Sequence, residues 1–490
     1  MEVTMEGVYQ QLSSMDYKNV LKYFVEISAV PRGSGHNEKI SEYLVNFAKE
    51  HNLNYVQDET LNVIIYKEAT PGYENHTPVV IQGHMDMVCL KAEDSNHDFL
   101  NEGLELIVEE GIIRANKTTL GGDNGIAIAM GLALLSDENL EHPALEVLIT
   151  TDEETGMDGA KALNPDHLKG RYMINVDSEE EGTVLVGCAG GLRFYAELPL
   201  NFTEKEGKRV KFVVRGLKGG HSGAEIHNNR TNATILLARA VMELKEKYDF
   251  LLCDMKGGDK DNAIPSFAQA EAIVSVEDAD ALAAAVKELE EKYQKELLAS
   301  EPNVKFECQI FGEEKAKVIH PSSMMKVLFA LLQAPNGVQV MSSEIASLVE
   351  SSLNLGIFAM EDDMAIFHYS VRSGKSSYKY FISDKLSFMF GFLGAEYESN
   401  AEYPAWEYKK DSKLRDLFLS VYKELYHKDA EVMSIHAGLE CGLISEKIPD
   451  MDIISIGPDM KDIHTPKEQL DIPSTIRVYQ TVEKLLQQMK

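Results

Sequence analysis

The chain has 490 residues, 44% of them hydrophobic, which is ordinary globular composition but too much chain for one compact core, so two domains are expected. Asp and Glu number 79 against 48 Lys and Arg, a formal net charge of −31 that repels nucleic-acid phosphates and anionic membranes, so neither is expected as a partner. The opening MEVTMEGVYQQL lacks the basic start and apolar run of a signal peptide, no stretch stays apolar for the roughly 20 residues of a membrane helix, and the cysteines (Cys89, Cys188, Cys253, Cys308, Cys441) are dispersed, which together predict a cytoplasmic protein with reduced thiols.

In chain order, PVVIQG at 78–83 predicts a short buried strand that ends in His84, Met85 and Asp86. TTLGGDNG then turns into IAIAMGLALL, an apolar run of helical length with Asp123 at its N-terminus. ALEVLITT ends in Asp152, Glu153 and Glu154, and YMINV ends in Asp177, so strands and helices alternate as in an α/β sheet with acidic residues at strand ends. From about residue 190 the pattern changes to strand, helix, strand, strand, helix, strand, a ferredoxin-like α+β order. A similar string follows from SSMMKVLFALLQA to AEYES, so the inserted domain is expected to be doubled. After about 400 the α/β pattern returns with DSKLRDLFLSVYKELYH as a helix, MDIISIG as a strand and the DMKDIHTP loop before a last helix. Thr465, Pro466 and Glu468 are expected to be that helix's N-cap, first-turn proline and capping-box acid. The first domain is thus read as discontinuous, 1–190 with 402–490, around an insertion at 191–401.

Taken singly, the polar residues at these strand ends have mundane readings. Asp123 suits a helix N-cap, Glu153 and Glu154 suit a solvated turn, the DSEEE run after Val176 suits a charged surface, and His464 suits an exposed loop. Their conjunction points elsewhere, because ligands of open α/β sheets bind at the carboxyl edge of the strands. So many acids gathered there need a cation of charge two or more. Imidazole with carboxylate and without thiolate favours zinc, with cobalt or manganese as replacements, over calcium or magnesium.

The motifs GHMDMV (83–88), GGDNG (121–125), TTDEETG (150–156), NVDSEE (175–180), GGHSG (219–223) and DIHTPKE (462–468) resemble, in order and spacing, the di-zinc peptidases related to carboxypeptidase G and aminoacylase. The long doubled lid and HAGLECG (436–442) look like the cytosolic aminoacyl-histidine dipeptidases within that group. The resemblance implies two divalent metal ions per chain. Asp123 would bridge them, with His84 and Asp177 completing one site and Glu154 and His464 the other. It further implies a cis peptide after Asp123, Glu153 as the general base acting on a metal-bridging water, and Asp86 as the residue that orients His84.

On the lid, the resemblance implies that His221 hydrogen-bonds the oxyanion, that Asn262 holds the substrate and that Arg372 binds its terminal carboxylate. Gly438 falls in a substrate loop, where Glu440 departs from the Asp that relatives carry nearby. The implied substrate is a dipeptide, Xaa-His including β-alanyl-histidine. Because the second lid half lies in the same chain, a homodimer is compatible with this reading but not required for catalysis. The rival readings are an aminotripeptidase, a carboxypeptidase or an N-acyl amino-acid deacylase on the same scaffold, and more remotely an inactive binding module. GHSGA at 220–224 lacks the last glycine of a serine-hydrolase elbow, GGDNG has no Walker-type lysine after it, and no HExxH occurs.

Overall fold

A computed structural model describes residues 5–490. The chain divides into two compact units, one made of the described residues through Gly187 with Tyr408–Ser434 and Leu439–Lys490, the other of Cys188–Glu407 with Ile435–Gly438. The short return of Ile435–Gly438 to the second unit has no counterpart in the sequence pattern. Among the described residues no helix is long and apolar enough to cross a membrane.

The first unit is built on an eight-stranded mixed sheet. Its central strands Leu145–Thr150, Val79–His84, Tyr172–Asn175 and Asp452–Ser455 run parallel, so their carboxyl ends lie along one edge. Val79–His84 and Leu145–Thr150 are buried along their whole length, which is why they read as continuous apolar runs and do not alternate. The helix Gly122–Ser136 is apolar all round because it is enclosed, packing on Val79–His84 and on the helix Val20–Ser28. Glycine sets how close it comes: a Cβ at Gly83 would strike Ala127 and Asn124, and one at Gly131 would meet Val147 Cγ1 at 2.7 Å.

The second unit is an antiparallel sheet of nine strands with helices packed against it. Half of it is Phe202–Arg215, helix Ala233–Lys245, Phe250–Gly257, Ala268–Val274, helix Ala279–Glu296 and Lys305–Ile319, with the fourth strand beside the first, then the third, then the second. The other half takes Gly190–Pro199 as its first strand, then helix Pro321–Gln333, Val349–Glu361, Met364–Ser373, helix Ser376–Leu393 and Glu396–Tyr403. Its strands stand in the order second, third, first, fourth, so the two halves mirror each other across the pair Phe250–Gly257 and Val349–Glu361. The doubling is present, but the first half is nested between the first strand and first helix of the second.

The sequence reading of the last helix is corrected. The helix is Ile472–Gln488, capped by Asp471, whose side chain accepts the Ser474 amide at 2.8 Å, with Pro473 in its first turn. Thr465 and Pro466 lie in a loop that pairs through Gln469–Asp471 with Met460–Lys461, and Glu468 has a different task described below.

Candidate metal centre

Three strand ends and two loops of the first unit bring the acidic and imidazole groups together. His84 closes its strand and is 1% exposed. Glu153 and Glu154 open the one-turn helix Glu153–Gly156 just beyond Leu145–Thr150, and Asp177 follows Tyr172–Asn175 by two residues. Asp123 heads the helix Gly122–Ser136, where it and Asn124 depart from helical dihedrals and the peptide between them is cis. His464 arrives on the loop before the last helix, in the left-handed region at φ 56°.

The geometry divides around the two oxygens of Asp123. Oδ1 lies 3.1 Å from His84 Nε2, and that nitrogen is 3.6 Å from Asp177 Oδ1. Oδ2 lies 3.2 Å from His464 Nε2, which is 2.8 Å from Glu154 Oε1. Ligand atoms of His84, Asp123 and Glu154 fall within 4.8 Å of one another. Ligands placed about 2.0–2.2 Å from a tetrahedral cation are roughly 3.3 Å apart, so separations of 2.8–3.6 Å across both faces of one carboxylate fit a pair of divalent ions.

The electrostatics agree with that fit. Burial, with Asp177, Glu440 and Glu154 nearby, pushes Glu153 up to about 9 against the pull of His84. Burial and neighbouring acids likewise raise Asp177 to about 6 and Glu179 to about 7. The hydrogen bonds to Asp123 and Glu154 raise His464 to about 10, and carboxylates around His84 outweigh its burial and hold its pKa well above normal. This cluster carries more negative charge than it can hold ionised without cations among it.

Behind the ligands stands a second set of contacts. His84 Nδ1, the nitrogen turned away from Asp123, is 3.3 Å from Asp86 Oδ1. The Asp86 carboxylate also accepts Ser34 Oγ at 2.8 Å and the amides of Glu153 and Glu154 at 3.1 and 3.3 Å, so it ties the histidine to the turn that presents both glutamates. Glu468, 2% exposed, accepts the amides of Leu120, Gly121, Gly122 and Asp123 at 2.7–3.4 Å. Arg32 is buried beside it and donates to the carbonyls of Met85 at 3.2 Å, Asp86 at 3.3 Å and Gly121. Glu440 lies beneath the centre, accepting Gln82 Nε2 and Thr150 Oγ1 at 2.7 Å each. Sequence reasoning missed Arg32 and the role of Glu468. An Arg-Gly-Ser-Gly stretch has no periodic signal, and a glutamate three residues after a threonine imitates a capping box.

In the second unit, His221 lies on a two-stranded ribbon with Ala263–Ile264, and the Asn262 carbonyl accepts the Ser222 amide at 2.8 Å. His221 Nδ1 accepts the amides of Gly223 and Ala224 at 3.2 and 3.1 Å, which leaves the ring proton on Nε2 as a donor. Burial and the Arg372 charge lower the His221 pKa, keeping the ring neutral. Arg372 Nη1 donates to Tyr403 Oη at 2.9 Å, while its buried Nε has no hydrogen-bond partner among the described residues. Gly438 lies against Tyr403, where a Cβ would come within 2.8 Å of the ring.

The model of peptidase family M20/M25/M40 matches residues 80–488. Over 483 residues, 98% of this chain and 99% of the relative, the chain is 38% identical to the cytosol non-specific dipeptidase of Escherichia coli (strain K12). The crystal structure of aminoacylhistidine dipeptidase from Vibrio alginolyticus superposes with a TM-score of 0.92 at 35% identity, covering 97% of both chains. A tripeptidase from Staphylococcus aureus shares the fold at 14% identity, with a TM-score of 0.56 over 97% of this chain and 99% of its own. A family model that matches residues 80–488, a relative matched along nearly the whole chain and a carboxylate with ligand sets on both faces lead to one conclusion: the chain belongs to peptidase family M20/M25/M40 and is a metallopeptidase.

Proposed function

We propose that this chain hydrolyses the peptide bond of dipeptides with two divalent cations, most simply zinc, held by His84, Asp123, Glu154, Asp177 and His464. The observation that carries the reading is Asp123, whose Oδ1 and Oδ2 each face a histidine and a further carboxylate, with Glu153 next to one of the ligands. The relatives named for dipeptide hydrolysis support the substrate class, and one of them is named for aminoacyl-histidine, so Xaa-His including β-alanyl-histidine is the first substrate to try.

The cations, when bound, acidify water and polarise the scissile carbonyl. Glu153 takes a proton from the attacking water and returns it to the leaving amine. Glu153 adjoins Glu154 on the turn whose amides Asp86 accepts, which fixes the backbone that carries this carboxyl. Asp86 holds the imidazole of His84 through Nδ1, so that Nε2 keeps its aim at Asp123. By the family motif His221 donates from Nε2 to the developing negative charge on the carbonyl oxygen. Asn262 and Gly438 hold the substrate, and Arg372 reads its terminal carboxylate.

The relative named a cytosol dipeptidase supports a cytoplasmic location, and a single chain can act alone because both halves of the doubled sheet are intramolecular. A homodimer is compatible with it and not needed. Turnover of β-alanyl-histidine against a panel of dipeptides, tripeptides and N-acetyl amino acids, with and without a chelator, tests the proposal. Preference for a tripeptide or an N-acetyl substrate, or activity that survives the chelator, would overturn it.

A further inference from the structure

Next to Glu154 the first unit contains a cavity of about 270 Å³ that no step above uses. Its lining is mainly apolar, from Met87, Val88, Cys89, Phe99 and Leu100, with Ser34, His36, Glu154 and Thr155 as the polar members. Gly33 forms part of the floor. It bridges to Met87, and a Cβ on it would press on Cys89 Sγ at 2.5 Å, so the absence of a side chain there keeps the floor in place. The rim is braced as well: His97 meets the Phe99 ring edge-on at 4.6 Å between centroids, and the Leu100 carbonyl accepts Lys39 Nζ at 2.7 Å. Leu100 is nevertheless 50% exposed.

An apolar cavity of about 150 Å³ already holds a benzene molecule, so this one has room for a leucine- or phenylalanine-sized side chain. Water gains little from a lining that is mainly apolar, whereas a hydrocarbon side chain removes its own surface and that of the five apolar residues from solvent. On the dipeptidase reading of the centre, the carbonyl under attack belongs to the first residue. That residue's side chain branches one bond away, so it must lodge close to the cation-ligating carboxylates, and one of them, Glu154, lines the cavity. We propose that this cavity receives an apolar side chain of the residue N-terminal to the scissile bond and sets a preference for it. The inference rests on the dipeptidase reading and adds a specificity pocket to it.

The test compares kcat/KM for Leu-Gly, Gly-Leu and Gly-Gly in the metal-loaded wild type, Leu100→Asp and Val88→Trp. Leu100 is half exposed, so a charge there alters the cavity wall at little risk to folding, and Val88→Trp fills the same space without a charge. In both variants the Leu-Gly to Gly-Gly ratio is expected to fall about 10-fold or more, while the Gly-Leu to Gly-Gly ratio stays as in the wild type. The second readout is equilibrium binding of uncleavable ketomethylene analogues of Leu-Gly and Gly-Gly, whose affinity ratio should fall in parallel. A loss that follows the second residue, or equal losses on all substrates, overturns the pocket while leaving dipeptide hydrolysis standing. A wild type that cleaves none of the dipeptides removes both.

Discussion

Glu468 supports Asp123 through the main chain: the glutamate's Oε1 accepts the aspartate's own amide at 3.4 Å and the preceding Gly122 amide at 2.8 Å, while Oε2 takes Leu120 and Gly121. Four donors in a buried loop thus depend on one carboxylate, and no water can replace it without space. Glu468→Ala should leave those amides unsatisfied at a cost of about 1–3 kcal/mol for each one that finds no partner. It should also weaken cation binding about 10- to 100-fold, as loss of a group that supports a ligand does. Metal stoichiometry by atomic absorption, with the thermal midpoint measured in parallel, checks both. Normal metal content would mean the loop holds its shape unaided.

Glu153 differs from Glu154 by one position and by role. Glu154 Oε1 is 2.8 Å from His464 Nε2, as a co-ligand should be, whereas Glu153 reaches the cluster through charge. Glu153→Ala should therefore lower kcat about 10²- to 10⁴-fold with about two metal ions still bound per chain. Retained turnover would remove Glu153 from proton transfer, and lost metal would make it a ligand.

His436, which is not among the proposed cation ligands, offers a pH test. Burial first, then the Arg372 charge, depress its pKa from 6.5 to about 3, and its Nε2 is 2.7 Å from Ser352 Oγ. Between those values the unfolded chain binds a proton that the folded one refuses, so stability is fully present above pH 6.5 and is lost as pH falls toward about 3. Over that window the wild type should lose about 1.4 kcal/mol per pH unit more than His436→Gln, which cannot titrate. Parallel melting curves of the two proteins at pH 7 and pH 5 would contradict the assignment.

How far the sequence could be read depends on whether a residue's partner is near in chain or far. Strands such as Val79–His84 were legible because burial on both faces leaves an unbroken apolar run. The ligand candidates were legible because each ends or follows an apolar run or, for Asp123, heads one. The nesting of one lid half inside the other was not, since Gly190–Pro199 pairs with Met364–Ser373, about 170 residues away, and nothing local marks it as the first strand of the later half. Glu468 was misread for the same reason: its donors lie some 345 residues upstream, and only the local cap pattern was visible. Arg32 binds three carbonyls of two distant loops and leaves no trace in local pattern.

Arg372 bears on how the substrate is measured. Its Nη1 is engaged by Tyr403 Oη at 2.9 Å, which turns the guanidinium edge and leaves buried Nε unsatisfied. Arg372 is half-buried, and its idle buried donor is costly unless an acceptor comes to it; a dipeptide's terminal carboxylate supplies two acceptors in the geometry a guanidinium prefers. A C-terminally amidated dipeptide lacks the charge and leaves the donor unmet, a loss of about 1–3 kcal/mol. The wild type should therefore prefer the free dipeptide to its amide by about 10-fold or more, and Arg372→Ala should erase most of that preference with metal content unchanged. Tyr403→Phe removes the phenol but keeps the ring that packs on Gly438, so it should weaken the preference less than Arg372→Ala does. Equal losses on acid and amide in Arg372→Ala would show that the arginine supports the fold of its unit and does not read the carboxylate.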